Sequence, residues 1–276
     1  MKNPEELLCV ENGREVVRIG GYALPTEDFS MSDFMHNDLD MSWLHPGGII
    51  ATERLLARLR LSPQMRVLDL GCGPGQTSRL IAGRYGCEVV GIDRDPAMIE
   101  EAKARSIGNR FKCIRFEAMD GTKTSFEDQS FDVVIFQSVA CFNEKSALFN
   151  EVTRLLKPHG QLGFNESTWI TPPTPSVQRV TRSTICQTFK DALMAAEWQA
   201  AMQSAGLKPT NCETHEFTDM TPYQMLREEG LLKMVKIMWR VLRNPELNMR
   251  LSAVSSYFST YPGYFGYGIY TAERPA

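Results

Sequence analysis

VLDLGCGPG, residues 67–75, is a short apolar run that ends at an acid, Asp69, and then meets glycines at 71, 73 and 75. A helix-like segment, residues 76–85, follows it, so the stretch reads as strand, tight turn and helix. Glycine has no Cβ to hold a ligand away from the backbone. The first N–H groups of the helix behind the turn have no partners within the helix and suit an anionic group such as a carboxylate. A turn that binds a dinucleotide spaces its glycines as G-x-G-x-x-G. Here the third glycine comes one residue early. Asp69 would also repel a pyrophosphate and attract a cationic group. The expected ligand is cationic and free of phosphate.

Outward from this turn a strand and helix rhythm runs in both directions. Strands are expected at residues 65–70, 87–93, 111–119, 131–139 and 160–167, with helices at 48–61, 76–85, 96–105 and 145–156. Alternation of this length implies parallel strands with helices on both faces. The rhythm then changes. Residues 171–179, TPPTPSVQR, read as a proline-rich loop. A helix over 188–205 stops at Gly206, a sixth strand covers 212–217, a helical stretch over 221–259 breaks at Asn244 and Pro245, and residues 264–275 form the last strand. Residues 1–46 read as an irregular N-terminal cap.

The chain has 276 residues, 43% of them hydrophobic, and a formal net charge of −3. No run of like charges offers the basic surface that nucleic acids need. The N-terminus lacks the apolar core of a signal peptide, and no stretch reaches the roughly 18 apolar residues of a membrane span. A cytoplasmic protein with no nucleic-acid or membrane partner is the expectation. Seven scattered cysteines without a CxxC pair argue against a disulfide framework and against a structural zinc site. No metal is expected.

Three acids recur at successive strand ends: Asp69, Asp93 and Asp120. A carboxylate at the second of these ends can accept two hydrogen bonds from a cis-diol. VLDLGCGPG, followed by GID at 91–93 and FEAMD at 116–120, resembles the class I methyltransferases that use S-adenosylmethionine, in their UbiE-like branch. The resemblance covers roughly residues 65–167. It implies a Rossmann-like α/β fold, with a seven-stranded, mostly parallel sheet and helices on both faces. It implies that Asp69, Gly71, Cys72, Gly73 and Gly75 hold the methionine portion and that Asp93 binds the ribose hydroxyls. By the same resemblance Arg94 and Met98 flank the adenine, Asp120 accepts from its amino group beside Gly121, and Gln137 and Ser138 line the cofactor. RLLKPHGQL, residues 154–162, is similar to the family's RVLKPGG turn, with His159 where a glycine stands.

The domain expected is 47–276, with its core at 65–167, a cap at 1–46 and a helical lid on the acceptor side, about 168–190 and 221–260, inserted before the last strand. Methyl transfer is an in-line displacement that needs alignment and exclusion of water and no enzyme nucleophile. Where the acceptor carries a proton, His45 and Glu166 are the candidate catalytic bases, and His36, Tyr22 and Trp43 are candidate pocket residues. In the late helix, Leu231, Met234, Met238 and Leu242 form an apolar stripe, and Lys233, Lys236, Arg240 and Arg243 cluster on another face. The stripe points to a small acceptor of apolar character. Ser138 stands where arsenic methyltransferases have a cysteine, and FQSVACF lacks the Asn-Pro-Pro motif of nucleic-acid amino methyltransferases. The alternatives to a methyltransferase are a non-catalytic or regulatory protein that binds S-adenosylmethionine and an NAD-dependent oxidoreductase. A homo-oligomer is compatible with the sequence.

Overall fold

The computed structural model describes residues 8–11, 14–19, 22–25, 34–41, 43–108, 111–185, 189–216, 222–260 and 263–276. The chain divides into two compact units. One, the sheet unit, comprises His45–Ser167, Leu193–Thr214 and Gly268–Ala276; the other comprises Met1–Leu44, Thr168–Ala192 and His215–Tyr267.

The sheet unit begins with α1 (Gly48–Ala57) and continues with β4 (Arg66–Leu70), α2 (Gln76–Tyr85), β5 (Glu88–Asp93), α3 (Pro96–Arg105), β6 (Ile114–Ala118) and β7 (Phe131–Gln137). A 3₁₀ turn (Ala140–Phe142), α4 (Lys145–Leu155), β8 (Leu156–Trp169), the two-residue β9 (Leu193–Met194), α6 (Ala195–Ser204), β10 (Lys208–Glu216) and β11 (Phe265–Glu273) complete the sheet and its helices. The strand order is β10-β11-β8-β7-β4-β5-β6, with β9 paired to β8. Strands β6, β5, β4, β7 and β8 are mutually parallel. β11 runs against β8, because His159 N donates to Arg274 O at one end and Ile170 N to Tyr264 O at the other.

The registers place the functional ends level with one another. Asp69 lies opposite Gly91 and Ile135, Asp93 opposite Ala118, and Gln137 opposite Asn165. The chain proceeds from β4 to β5 on one side and returns to β7 on the other, and the carboxyl edge at such a reversal is where open α/β sheets bind ligands. Val67, Leu68 and Leu70 are buried, as expected of a parallel strand covered on both faces. One face packs Val67, Val89 and Val133 against Leu56 and Ile81. An aromatic group that includes Phe136, Phe149, Phe164, Trp198 and Tyr270 forms a second packed layer, with Phe164 stacked 4.8 Å from both Phe136 and Tyr270.

The other unit contains β1 (Leu8–Glu11), β2 (Arg14–Ile19) and β3 (Tyr22–Pro25), which pair as an antiparallel meander. This corrects the irregular cap read from the sequence. The signal was present: Asn-Gly separates β1 from β2 and Gly-Gly separates β2 from β3, the dipeptides that two-residue hairpins favour. A second correction concerns residues 171–179. α5 (Pro175–Ile185) starts inside the supposed loop, because Pro175 occupies the first helical position, where its missing N–H costs nothing. Thr174 Oγ1 accepts from Val177 N at 3.3 Å and caps the helix.

The helix read over 188–205 begins only at Ala195. Thr188, Phe217 and Thr221, the ends of expected elements, lie outside the described residues. α7 (Pro222–Arg243) and α8 (Pro245–Thr260) meet at Asn244, whose Oδ1 accepts from Glu246 N and Leu247 N. α7 is also interrupted at Gly230 (φ 76°, ψ 161°). In α7, Leu231, Met238 and Leu242 of the apolar stripe are exposed and Met234 is half-buried, whereas Ile237 and Val241 pack with Phe34, Leu39, Met41 and Leu247.

Candidate active site

The turn after β4 is built from hydrogen bonds that close on the protein itself. Gly71 N and Cys72 N both donate to Ile92 O, at 2.8 and 2.9 Å, and Gly75 N donates to Cys72 O at 2.9 Å. Gly73 N donates to Asp93 Oδ2 at 2.9 Å. Residue 74 is proline and has no N–H. Every amide of residues 71–75 is therefore used or absent. The three glycines differ in what lies beside them. A Cβ at Gly71 would collide with Val139 Cγ2, and one at Gly75 would lie 2.7 Å from Phe116 Cζ. At Gly73, with φ +50°, no atom lies within 4 Å of where a Cβ would stand. Gly73 thus presents bare backbone to open space.

The three acids serve different local roles. Asp69 is buried and accepts from Ser78 Oγ at 2.5 Å, which ties the end of β4 to the first turn of α2. Burial, with a smaller contribution from the Asp93 charge, pushes its carboxyl up to about 6. Asp93 holds Gly73 N on Oδ2 and Asp95 N on Oδ1, at 2.9 and 3.0 Å. Each of its oxygens keeps acceptor capacity, since an ionised carboxylate offers about four lone-pair sites. Asp120 is exposed, and its Oδ1 accepts from Thr122 N and Thr122 Oγ1 at 2.8 and 2.7 Å. The Thr122 backbone bond is the main cause that holds this carboxyl below its ordinary range.

The remaining cofactor candidates are placed as follows. Arg94 is exposed and Met98 half-buried. Cys72 directs its side chain into a cluster with Ile99, Ala102 and Phe116, and burial raises its thiol far above the usual range. A Cβ at Gly121 would strike Leu70. Ser138 adopts φ +55°, a conformation that costs a non-glycine residue about 1–3 kcal/mol. Its N–H donates to Asn165 O at 2.9 Å.

His45 lies in a chain of hydrogen bonds. Asn165 Nδ2 lies 3.2 Å from His45 Nδ1 and His45 Nε2 3.1 Å from Thr52 Oγ1, while Thr52 Oγ1 donates to Gln137 Oε1 (3.1 Å) and Gln137 Nε2 to Thr77 Oγ1 (3.0 Å). His45 Nδ1 also lies 3.3 Å from Pro46 O. Burial lowers the imidazole to about 4, so it is neutral at pH 7. Glu166 is fully buried, and its Oε1 accepts from Val139 N and Ala140 N at 2.5 and 2.6 Å. Burial raises its carboxyl. Both residues are built into the scaffold around the ends of β7 and β8.

In the other unit Trp43 is buried and His36 half-buried. Tyr22 lies in β3, and its side chain is outside the described residues. Sequence reasoning missed Ser78, Thr77, Thr52 and Asn165. Thr77 and Ser78 directly follow the glycine turn, at helix positions where a hydroxyl can reach back to a strand end. Thr52 and Asn165 carried no such local mark. Among the described residues, no group of three or more His, Cys, Asp or Glu side chains could hold a metal ion.

With this geometry in place, a family model described as a methyltransferase domain matches residues 61–230. The chain belongs to this methyltransferase family. A Bacillus subtilis methyltransferase, YodH, is 30% identical over 166 residues, 60% of this chain and 70% of that one. Phosphoethanolamine N-methyltransferase 1 of Zea mays is 37% identical over 122 residues, 44% of this methyltransferase and 24% of the maize enzyme. The methyltransferase chain thus matches about a quarter of the maize protein's length. Phosphoethanolamine N-methyltransferase 2 of Haemonchus contortus, solved with S-adenosyl-L-methionine, superposes with a TM-score of 0.67 at 18% identity, covering 98% of this chain and 71% of that one. That likeness establishes a shared fold.

Proposed function

We propose that this methyltransferase transfers a methyl group from S-adenosylmethionine to a small organic acceptor. The observation that carries the reading is the closed glycine turn: its amides are spent internally, its Gly73 face is open, and the carboxylate of Asp93 stands beside it. A turn of this kind suits a hydroxylated, cationic ligand and not a pyrophosphate, which counts against the NAD-dependent alternative. S-adenosylmethionine, when bound, supplies an electrophilic methyl on a sulfonium. In this reading Asp93 accepts from the ribose hydroxyls, Gly73 allows close approach of the ligand, and Asp120, with an oxygen left over from Thr122, accepts from the adenine amino group. Asp69 contributes negative potential and fixes α2 through Ser78.

His45 and Glu166 act by position. A neutral imidazole bonded through both nitrogens, and a buried carboxylate holding two amides, keep the segments before α1 and after β7 in place; aligning reactants in this way is where a displacement gains most. Acceptor recognition is assigned to residues 1–46, 168–190 and 221–260, which lie outside the segment that carries the cofactor motifs. A small acceptor fits the names of the N-methyltransferase relatives, which act on phosphoethanolamine or on glycine and its methylated forms.

Calorimetric titration tests the reading. S-adenosylmethionine and S-adenosylhomocysteine are expected to bind, and NAD is expected to give no heat. Binding of NAD without binding of S-adenosylhomocysteine would overturn it.

A further inference from the structure

The second part of α7, beyond Gly230, has a composition that the cofactor site does not call on. Gly230 separates an acidic stretch, Glu228 and Glu229, from residues 231–243, LLKMVKIMWRVLR, which carry four basic residues and no acid. At about 100° per residue these residues fall into three sectors. Ile237 and Val241 face inward, into the cluster with Phe34, Leu39, Met41 and Leu247. The next sector holds Leu231, Leu232, Val235, Met238, Trp239 and Leu242, all exposed, with Leu232 at 82% and Trp239 at 57%. Lys236, Arg240 and Arg243 line its edge, and Arg243 stacks over the Trp239 ring at 4.0 Å. The nearby acids have other cations: Asp40 and Glu229 pair with Lys233, and Asp38 and Glu246 pair with Arg250.

We propose that residues 231–243 dock the protein on an anionic lipid surface, with the helix lying in the plane of the headgroups. An amphipathic helix with aliphatic residues and a tryptophan on one sector and basic residues along its border is the form that binds such interfaces. Charge decides the occupant. A second copy of the same face would bring one basic border against another with no acid in the segment to offset it. An anionic bilayer supplies both the apolar phase for Leu232 and Trp239 and the negative charge for Lys236 and Arg243. This interaction does not depend on the cofactor reading.

The full-length protein is sedimented with vesicles of phosphatidylcholine alone and of phosphatidylcholine mixed with phosphatidylglycerol. Binding to the mixed vesicles is expected to be at least about tenfold stronger and to weaken with salt, each basic residue contributing roughly fivefold. The double variant Lys236→Glu, Arg243→Glu is expected to lose that advantage. Trp43, Trp169 and Trp198 are buried, so a blue shift in emission on docking reports Trp239, and Trp239→Phe removes it. Equal binding to both vesicle types, or no binding to either, would overturn the proposal. So would a blue shift that grows with protein concentration without vesicles, which would mark a second copy as the occupant.

Discussion

His45 and Asp69 titrate in opposite senses, and that makes them separable. Asp69 keeps its proton up to about 6 in the folded protein against 3.8 in a free chain, so folding stability falls as pH rises from about 4 to 6. His45 is lowered from 6.5 to about 4, so its contribution is present above 6.5 and is lost as pH falls towards 4. In the native protein the two slopes partly cancel. Urea unfolding across this range is expected to show Asp69→Asn gaining on the native protein as pH rises, by up to about 3 kcal/mol. His45→Gln should gain on it as pH falls, by about 2 kcal/mol once partial exposure of the ring is allowed for. Curves that stay parallel would show that neither group is perturbed. His159 offers a separate test. It holds φ +61° in the turn that resembles the family's RVLKPGG, at the place of a glycine. His159→Gly is expected to raise the unfolding free energy by about 1 kcal/mol, with the exposed contact to Glu273 too weak to offset it. A loss of stability on urea titration would contradict this.

At the scale of elements, the glycine turn makes the sharpest contrast. Gly75→Ala meets both a positive φ and Phe116, and should cost about 2–4 kcal/mol of stability. Gly73→Ala meets only its φ of +50°, at about 1 kcal/mol, yet should weaken S-adenosylmethionine binding by at least about tenfold, because the new methyl fills the open face. Thermal unfolding with and without ligand separates the two effects. An alanine at Gly73 that binds as well as the native turn would remove that face from the site. The same turn was readable in the sequence because its determinants are local: apolar residues, an acid and three glycines in nine positions. The β1–β3 meander is marked in the sequence only by Asn-Gly and Gly-Gly, with no long apolar run beside them. α5 was hidden because Pro175 marks a loop and a helix start equally well. The inward face of α7 is not legible in the sequence, because apolar residues cover more than half of that helix and periodicity alone does not say which of them the core takes.

Across the whole molecule, what the sequence left illegible is what folding brings together from afar. Residues 45, 52, 77, 137 and 165 share one hydrogen-bonded chain only because the registers align the ends of β7 and β8 beside α1 and α2. No spacing in the sequence marks them. The strand-end acids were legible because each belongs to its own strand–turn unit, and the parallel sheet then gathers units of the same design along one edge. Among the described residues no helix is long and apolar enough to cross a membrane. The central claim is that the carboxyl edge around Asp93 is a site for S-adenosylmethionine. Its most direct test is calorimetric titration of Asp93→Asn beside the native protein, with folding checked by circular dichroism. Loss of the carboxylate charge should weaken S-adenosylmethionine binding by about 10- to 100-fold, the value of one or two charge-assisted hydrogen bonds, in a protein that remains folded. Undiminished affinity in a folded Asp93→Asn would contradict the account.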